Sequence, residues 1–172
     1  MVGFMEGVKE LKEVLDKVEK KLMATFHIYT ALIYSAWLAG MGGYLLVFFL
    51  APKYTGIYWP ITIALIILVT VKVYNKYLKV EASEGKVSYG WIIGWIIGGV
   101  AFGLLGDARG LASMIALGHL GMYMSFRENS MLIPLLVILT FVSPTWELAT
   151  ALIILTYSVV TLINLYKTFR VI

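Results

Sequence analysis

The amino-acid sequence predicts an all-α protein, a polytopic bundle of about six transmembrane helices preceded by a short amphipathic cytoplasmic helix. Hydrophobic residues make up 60% of the 172 positions and charged residues only 14%. The charges fall in short blocks, and the stretches between them approach the roughly 20 residues needed to cross a hydrocarbon core about 30 Å thick. Lysine and arginine also sort onto one side of that layout, the asymmetry expected of a chain threaded through a bilayer.

The elements follow in order. Residues 1–23 read as one amphipathic helix, with Val8, Leu11, Leu15, Val18 and Leu22 at alternating three- and four-residue spacing. Glu13–Lys17 and Asp16–Lys20 sit at i, i+4, where opposite charges support a helix. The helix carries five lysines against five acids, a balance that suits packing on protein better than lying on anionic lipid; the plainer alternative is a cytoplasmic extension of the first span. Residues 24–172 then form the bundle, with spans at about 24–50, 57–77, 89–105, 111–126, 131–142 and 145–166. Turns fall at Ala51–Gly56, at Asp107–Gly110 and at Ser143–Pro144, and breaks at the polar segment Val80–Ser88 and at Arg127–Asn129. The span at 131–142 is short for a bilayer and holds Pro134, so the alternatives there are a re-entrant segment or one broken helix formed with the last span, which would leave four or five spans.

With both termini cytoplasmic, Lys9, Lys12, Lys17, Lys20, Lys21, Lys72, Lys76, Lys79, Lys86, Arg127, Lys167 and Arg170 lie inside. Only Lys53 and Arg109 of the 14 lie outside. The expected location is therefore the cell membrane, multi-pass. Topology explains the net charge of +4, which gives no reason to expect nucleic acid. Glutamine is absent and lysine and glutamate dominate the charges, a bias that points to a heat-loving source.

Glycine gives the densest pattern. Gly90, Gly94 and Gly98 repeat every four residues, and Gly99 and Gly103 continue the spacing. In lipid, helices associate through close backbone approach, which small residues permit. Ser35, Ala39 and Gly43 offer a matching ridge in the first span. These residues are the expected helix-packing face, within one bundle, between copies in a homo-oligomer, or against a membrane partner subunit.

His119 and Asn164 are the candidate intramembrane polar site, because polar groups at that depth are costly and tend to serve function. His27 lies near the cytoplasmic boundary and reads as interfacial. The two histidines differ in depth by about 8 Å, so a bis-histidine haem is not expected. With no cysteine there is no thiolate site, and neither H-E-x-x-H nor Gly-x-Ser-x-Gly occurs. No catalytic residue, metal or cofactor is expected, and the chain does not read as an enzyme.

Three functions remain as expectations: a small-solute transporter or its substrate-binding membrane subunit, a non-catalytic anchor or assembly subunit, and a homo-oligomeric channel. In size, span number and the Ser35-x3-Ala39-x3-Gly43 ridge the chain resembles the substrate-capture subunits of energy-coupling-factor transporters. That resemblance is architectural and implies a small-molecule ligand without assigning residues to it.

Overall fold

The computed structural model describes the backbone of residues 2–77 and 90–171, and the side chains of residues 9–73 and 90–171. Among them the chain is all-helical: α1 (Val2–Leu50), a 3₁₀ turn at Pro52–Tyr54, α2 (Thr55–Tyr77), α3 (Gly90–Leu105), α4 (Ala108–Phe126), a 3₁₀ helix over Asn129–Phe141, and α5 (Trp146–Val171). The predicted polar segment Val80–Ser88, the start of a span at Tyr89, and Lys79 and Lys86 lie outside the described residues, as does the side chain of Val8. Helices α1, α2 and α5 are long and apolar enough to cross a membrane.

The predicted amphipathic helix and first span form one uninterrupted helix of 49 residues. No glycine or proline lies near Ala24, and the Thr25 hydroxyl donates to the Lys21 carbonyl oxygen of the same helix, so the helix runs on. Of the two i, i+4 pairs predicted there, Asp16–Lys20 closes at 2.8 Å, whereas Glu13–Lys17 forms no ion pair. Helix α4 begins three residues earlier than the sequence reading, at Ala108. Asp107 caps it: the carboxylate accepts hydrogen bonds from the backbone N–H groups of Arg109 and Gly110.

The core is a seam between antiparallel α1 and α5. On α1, Ala24, His27, Ala31, Tyr34 and Met41 are buried, and Leu38 is partly buried against the core. That alternation of three and four residues is the spacing of helices packed side by side. Ile153, Tyr157, Val160 and Asn164 answer it from α5. The Tyr34 and Tyr157 rings meet edge-on at 4.9 Å. Helix α4 adds Ala112, Ile115 and His119.

The 3₁₀ helix completes the core with a different period. Met131, Pro134, Val137 and Thr140 are its buried face, every third residue, as three residues per turn requires. Its 13 residues rise about 26 Å at 2.0 Å each, against about 20 Å had they been α-helical. The segment judged short for a span is longer than its residue count suggests.

The remaining helices are peripheral: α3 packs on α4, and α2 on α1. At the first contact backbones touch. A Cβ on Gly94 would lie 2.6 Å from the Leu117 carbonyl oxygen, and one on Gly98 would lie 2.8 Å from that of Met114. Gly121 faces the Gly90 carbonyl oxygen and Gly94 in return. Gly99 and Gly103 have nothing within 4 Å, so they lie off this contact. Of the small-residue ridge of α1, Gly43 meets α2, together with Gly40 beside the ridge, and among the described residues α1 makes no contact with α3. Gly40 faces Thr62 and Ile66 and Gly43 faces the Tyr58 hydroxyl, which donates to the Gly40 carbonyl oxygen at 2.6 Å. Ser35 is half-buried and Ala39 exposed.

The outer surface is apolar. Ile61, Leu65 and Leu68 on α2, Ile93, Ile97 and Leu104 on α3, and Leu155 and Leu162 on α5 all point outward, while His27, His119, Ser130, Thr140 and Asn164 are buried. Such an arrangement suits a hydrocarbon solvent, which does not penalise exposed leucine but does penalise an unpaired polar group.

Replacing Gly98 by leucine therefore forces a side chain into the α4 backbone, while Gly99→Leu points into open space. We expect Gly98→Leu to cost about 1–3 kcal/mol and Gly99→Leu to be near neutral, read by thermal unfolding in detergent.

Candidate functional site

The buried polar residues gather at two levels of the α1–α5 seam. The deeper level surrounds His119. Its ring is 1% exposed and is walled by Tyr34 of α1 at 5.7 Å, Trp95 of α3 at 5.5 Å and Tyr157 of α5 at 5.3 Å between centroids. Gly118 makes room for Trp95, whose indole occupies the space a side chain there would fill. His119 Nδ1 lies 2.7 Å from the Ile115 carbonyl oxygen. A carbonyl only accepts, so Nδ1 carries the proton. The Tyr34 hydroxyl is buried in the same layer without a hydrogen-bond partner.

The second level lies two helical turns away, at His27 and Asn164. Both His27–Tyr34 and Tyr157–Asn164 are seven residues apart, so the antiparallel helices place the two pairs in register. His27 Nδ1 donates to Asn164 Oδ1 at 2.9 Å. Asn164 Nδ2 donates to the Val160 carbonyl oxygen at 2.9 Å and to Ser130 Oγ at 3.2 Å. At 0% exposure Asn164 thus bonds α1, the 3₁₀ helix and its own helix at once. His27, read as interfacial from the sequence, is buried at 6% exposure, because α5 lies over it.

The network continues outward. Glu128 caps the 3₁₀ helix by accepting from the Ser130 backbone N–H at 3.1 Å, and Lys167 Nζ donates to the same carboxylate oxygen at 2.6 Å. Burial alone pushes the Glu128 carboxyl up. The hydrogen bonds from Lys167 and Ser130 and the lysine charge outweigh it and hold the group below the usual carboxylate range. At the opposite end Asp107 is balanced the same way: desolvation raises its carboxyl, while the Arg109 side chain and the Gly110 and Arg109 N–H groups bring it lower.

The structure therefore does not bring the two predicted polar residues together. His119 sits among aromatic rings, and Asn164 sits in a hydrogen-bonded chain with His27, Ser130, Glu128 and Lys167. Sequence reasoning missed Tyr34, Trp95, Tyr157 and Ser130 as their neighbours. The matched seven-residue spacings on the first and last helices were the available signal. Of the other buried hydroxyls, those of Thr30, Thr156 and Thr168 donate to carbonyl oxygens of their own helix, whereas those of Thr140 and Thr161 have no hydrogen-bond partner among the described residues. Among the described residues no three His, Cys, Asp or Glu side chains gather where they would hold a metal ion.

Comparison with known proteins adds no further constraint: no family model, curated protein or solved structure matches the chain.

Replacing Asn164 by leucine keeps the branching of the side chain but removes the hydrogen-bond partner of His27 Nδ1 and one partner of Ser130 Oγ. We expect a loss of about 1–2 kcal/mol in thermal or denaturant unfolding, with His27→Leu on the same background recovering part of it.

Proposed function

We propose that this chain is a non-catalytic membrane subunit that assembles with a partner protein through the N-terminal part of α1. The observation that carries this reading is a helix leaving the bundle with an apolar stripe that stays exposed among the described residues. Leu11, Val14, Leu15, Val18 and Leu22 are 43% to 61% exposed, although the spacing is that of a helix–helix seam. The stripe is flanked by Lys12 and Glu19 on one edge and by Glu10, Lys17 and Lys21 on the other. Edges of mixed sign suit the charged flanks of a second helix better than a uniformly anionic lipid surface. A helix of a partner protein is thus the occupant this face fits.

In this reading the bundle is the anchor. We assign it six spans with both termini cytoplasmic. The length of the 3₁₀ helix supports this count, as do the 16 residues of α3, which rise about 24 Å. The lysine and arginine asymmetry supports the orientation. Since the chain has no cysteine, single cysteines report topology without background. We expect Ser83→Cys and a cysteine at Arg127 to be labelled by a membrane-impermeant maleimide only from the inner face, and Lys53→Cys and Ser143→Cys only from outside.

Solute capture is the second reading, favoured by the unpartnered Tyr34 hydroxyl beside His119. The imidazole is closed in by three rings, so a ligand reaches it only if α1, α3 and α5 part. We rank this reading below assembly.

A photo-cross-linking residue placed at Leu15 or Val18 in native membranes tests the assembly reading, with Glu13 and Lys20 on the opposite face as controls. We expect one discrete protein adduct from the first pair and none from the second. Adducts to lipid alone, or equal adducts from both faces, would overturn it.

A further inference from the structure

At the foot of the α1 extension, beside the apolar stripe and sharing Lys17 and Lys21 with its edge, a cleft of about 380 Å³ is lined by Lys17, Lys20, Lys21, Ala24, Thr25, Ile28 and Val171. Its composition is divided. Three ammonium groups sit at the outer end, and Ala24, Ile28 and the last described residue of α5 form an apolar floor. Lys20 is engaged by Asp16 at 2.8 Å, whereas Lys17 and Lys21 make no ion pair among the described residues. The Thr25 hydroxyl is turned away to the Lys21 carbonyl oxygen, so the cleft offers cations and hydrocarbon and little else polar.

Its position matters as much as its lining. The seam with α5 begins at Ala24, and the fully exposed, charged part of α1 ends just before it. The cleft therefore straddles the level where helix passes from water into hydrocarbon. A free anion would be met by the lysines alone and leave the apolar floor wet. A phospholipid fills both halves, its phosphate against the ammonium groups and the start of an acyl chain along Ile28 and Val171.

We propose that this cleft is a binding site for an anionic phospholipid, recognised through its phosphate and the hydrocarbon beside it. The inference rests on the chain residing in a membrane and not on the assembly reading: the apolar floor of the cleft, at Ala24, Ile28 and Val171, lies outside the stripe, and only Lys17 and Lys21 border both. Neutral phosphatidylcholine carries a phosphate too, but its choline returns a positive charge toward the lysines. Phosphatidylglycerol does not.

Native mass spectrometry of the full chain, equilibrated in detergent with phosphatidylglycerol or phosphatidylcholine of identical chains, tests this. We expect phosphatidylglycerol to be retained preferentially. Lys17→Gln, Lys20→Gln and Lys21→Gln together should weaken that retention by roughly fivefold for each lysine removed. The charge-matched control Lys9→Gln, Lys12→Gln and Lys53→Gln should keep it. All six side chains are exposed, and unchanged thermal unfolding certifies each variant. Equal retention of the two lipids, or equal loss in the control, would overturn the site. Complete displacement of phosphatidylglycerol by inorganic phosphate would also overturn it, by showing that the lysines read an anion without its lipid.

Discussion

The antiparallel contact between the first and last helices is the constraint on which the rest of the molecule depends. Two levels of it are polar or aromatic: His27 with Asn164, and Tyr34 with Tyr157. In a hydrocarbon solvent apolar burial drives little association between helices, so packing and directional bonds must set register. A slip of one turn would break the His27–Asn164 bond and separate the two tyrosines together. The same register brings α4 and the 3₁₀ helix into place, since Ser130 reaches Asn164 and His119 packs on both tyrosines.

The periphery follows a second logic. Helices α2 and α3 add no large buried layer; each adheres to one neighbour at glycine-lined contacts where backbones come close. Gly94 and Gly98 against α4, and Gly40 and Gly43 against α2, are two separate instances. The small residues of α1 and α3 read as one complementary pair from the sequence because both carry four-residue spacing. Spacing alone does not name the partner. Gly110, Gly118 and Gly121 on α4, scattered in the sequence, are what actually complete the α3 contact.

Charge and hydropathy patterning made the helical class and most boundaries legible. Three features were less so. The continuity of α1 was legible only as one of the readings of residues 1–23, because a shift from polar to apolar composition looks like a boundary although the helix runs through it. The start of α4 was hidden because Asp107 serves as a cap, and a cap looks like a turn when its hydrogen bonds are unseen. The 3₁₀ helix was disguised by length, since counting residues at the α-helical rise understates its reach; the three-residue recurrence of Met131, Pro134, Val137 and Thr140 was present but competes with ordinary α-helical spacing. For the polar site, His119 and Asn164 stood out individually as polar residues within apolar stretches, and both are buried, but their neighbours come from helices distant in sequence.

One rigid rod carries both the exposed stripe ending at Leu22 and the buried seam beginning at Ala24. Two residues advance an α-helix by about 200°, so these faces look in nearly opposite directions. Their angular phase is set by residue count alone, with no hinge to adjust it. Inserting or deleting a single residue at that junction would swing the projecting arm by about 100° without disturbing either surface, so the spacing there is itself a heritable specification of the direction in which the arm presents.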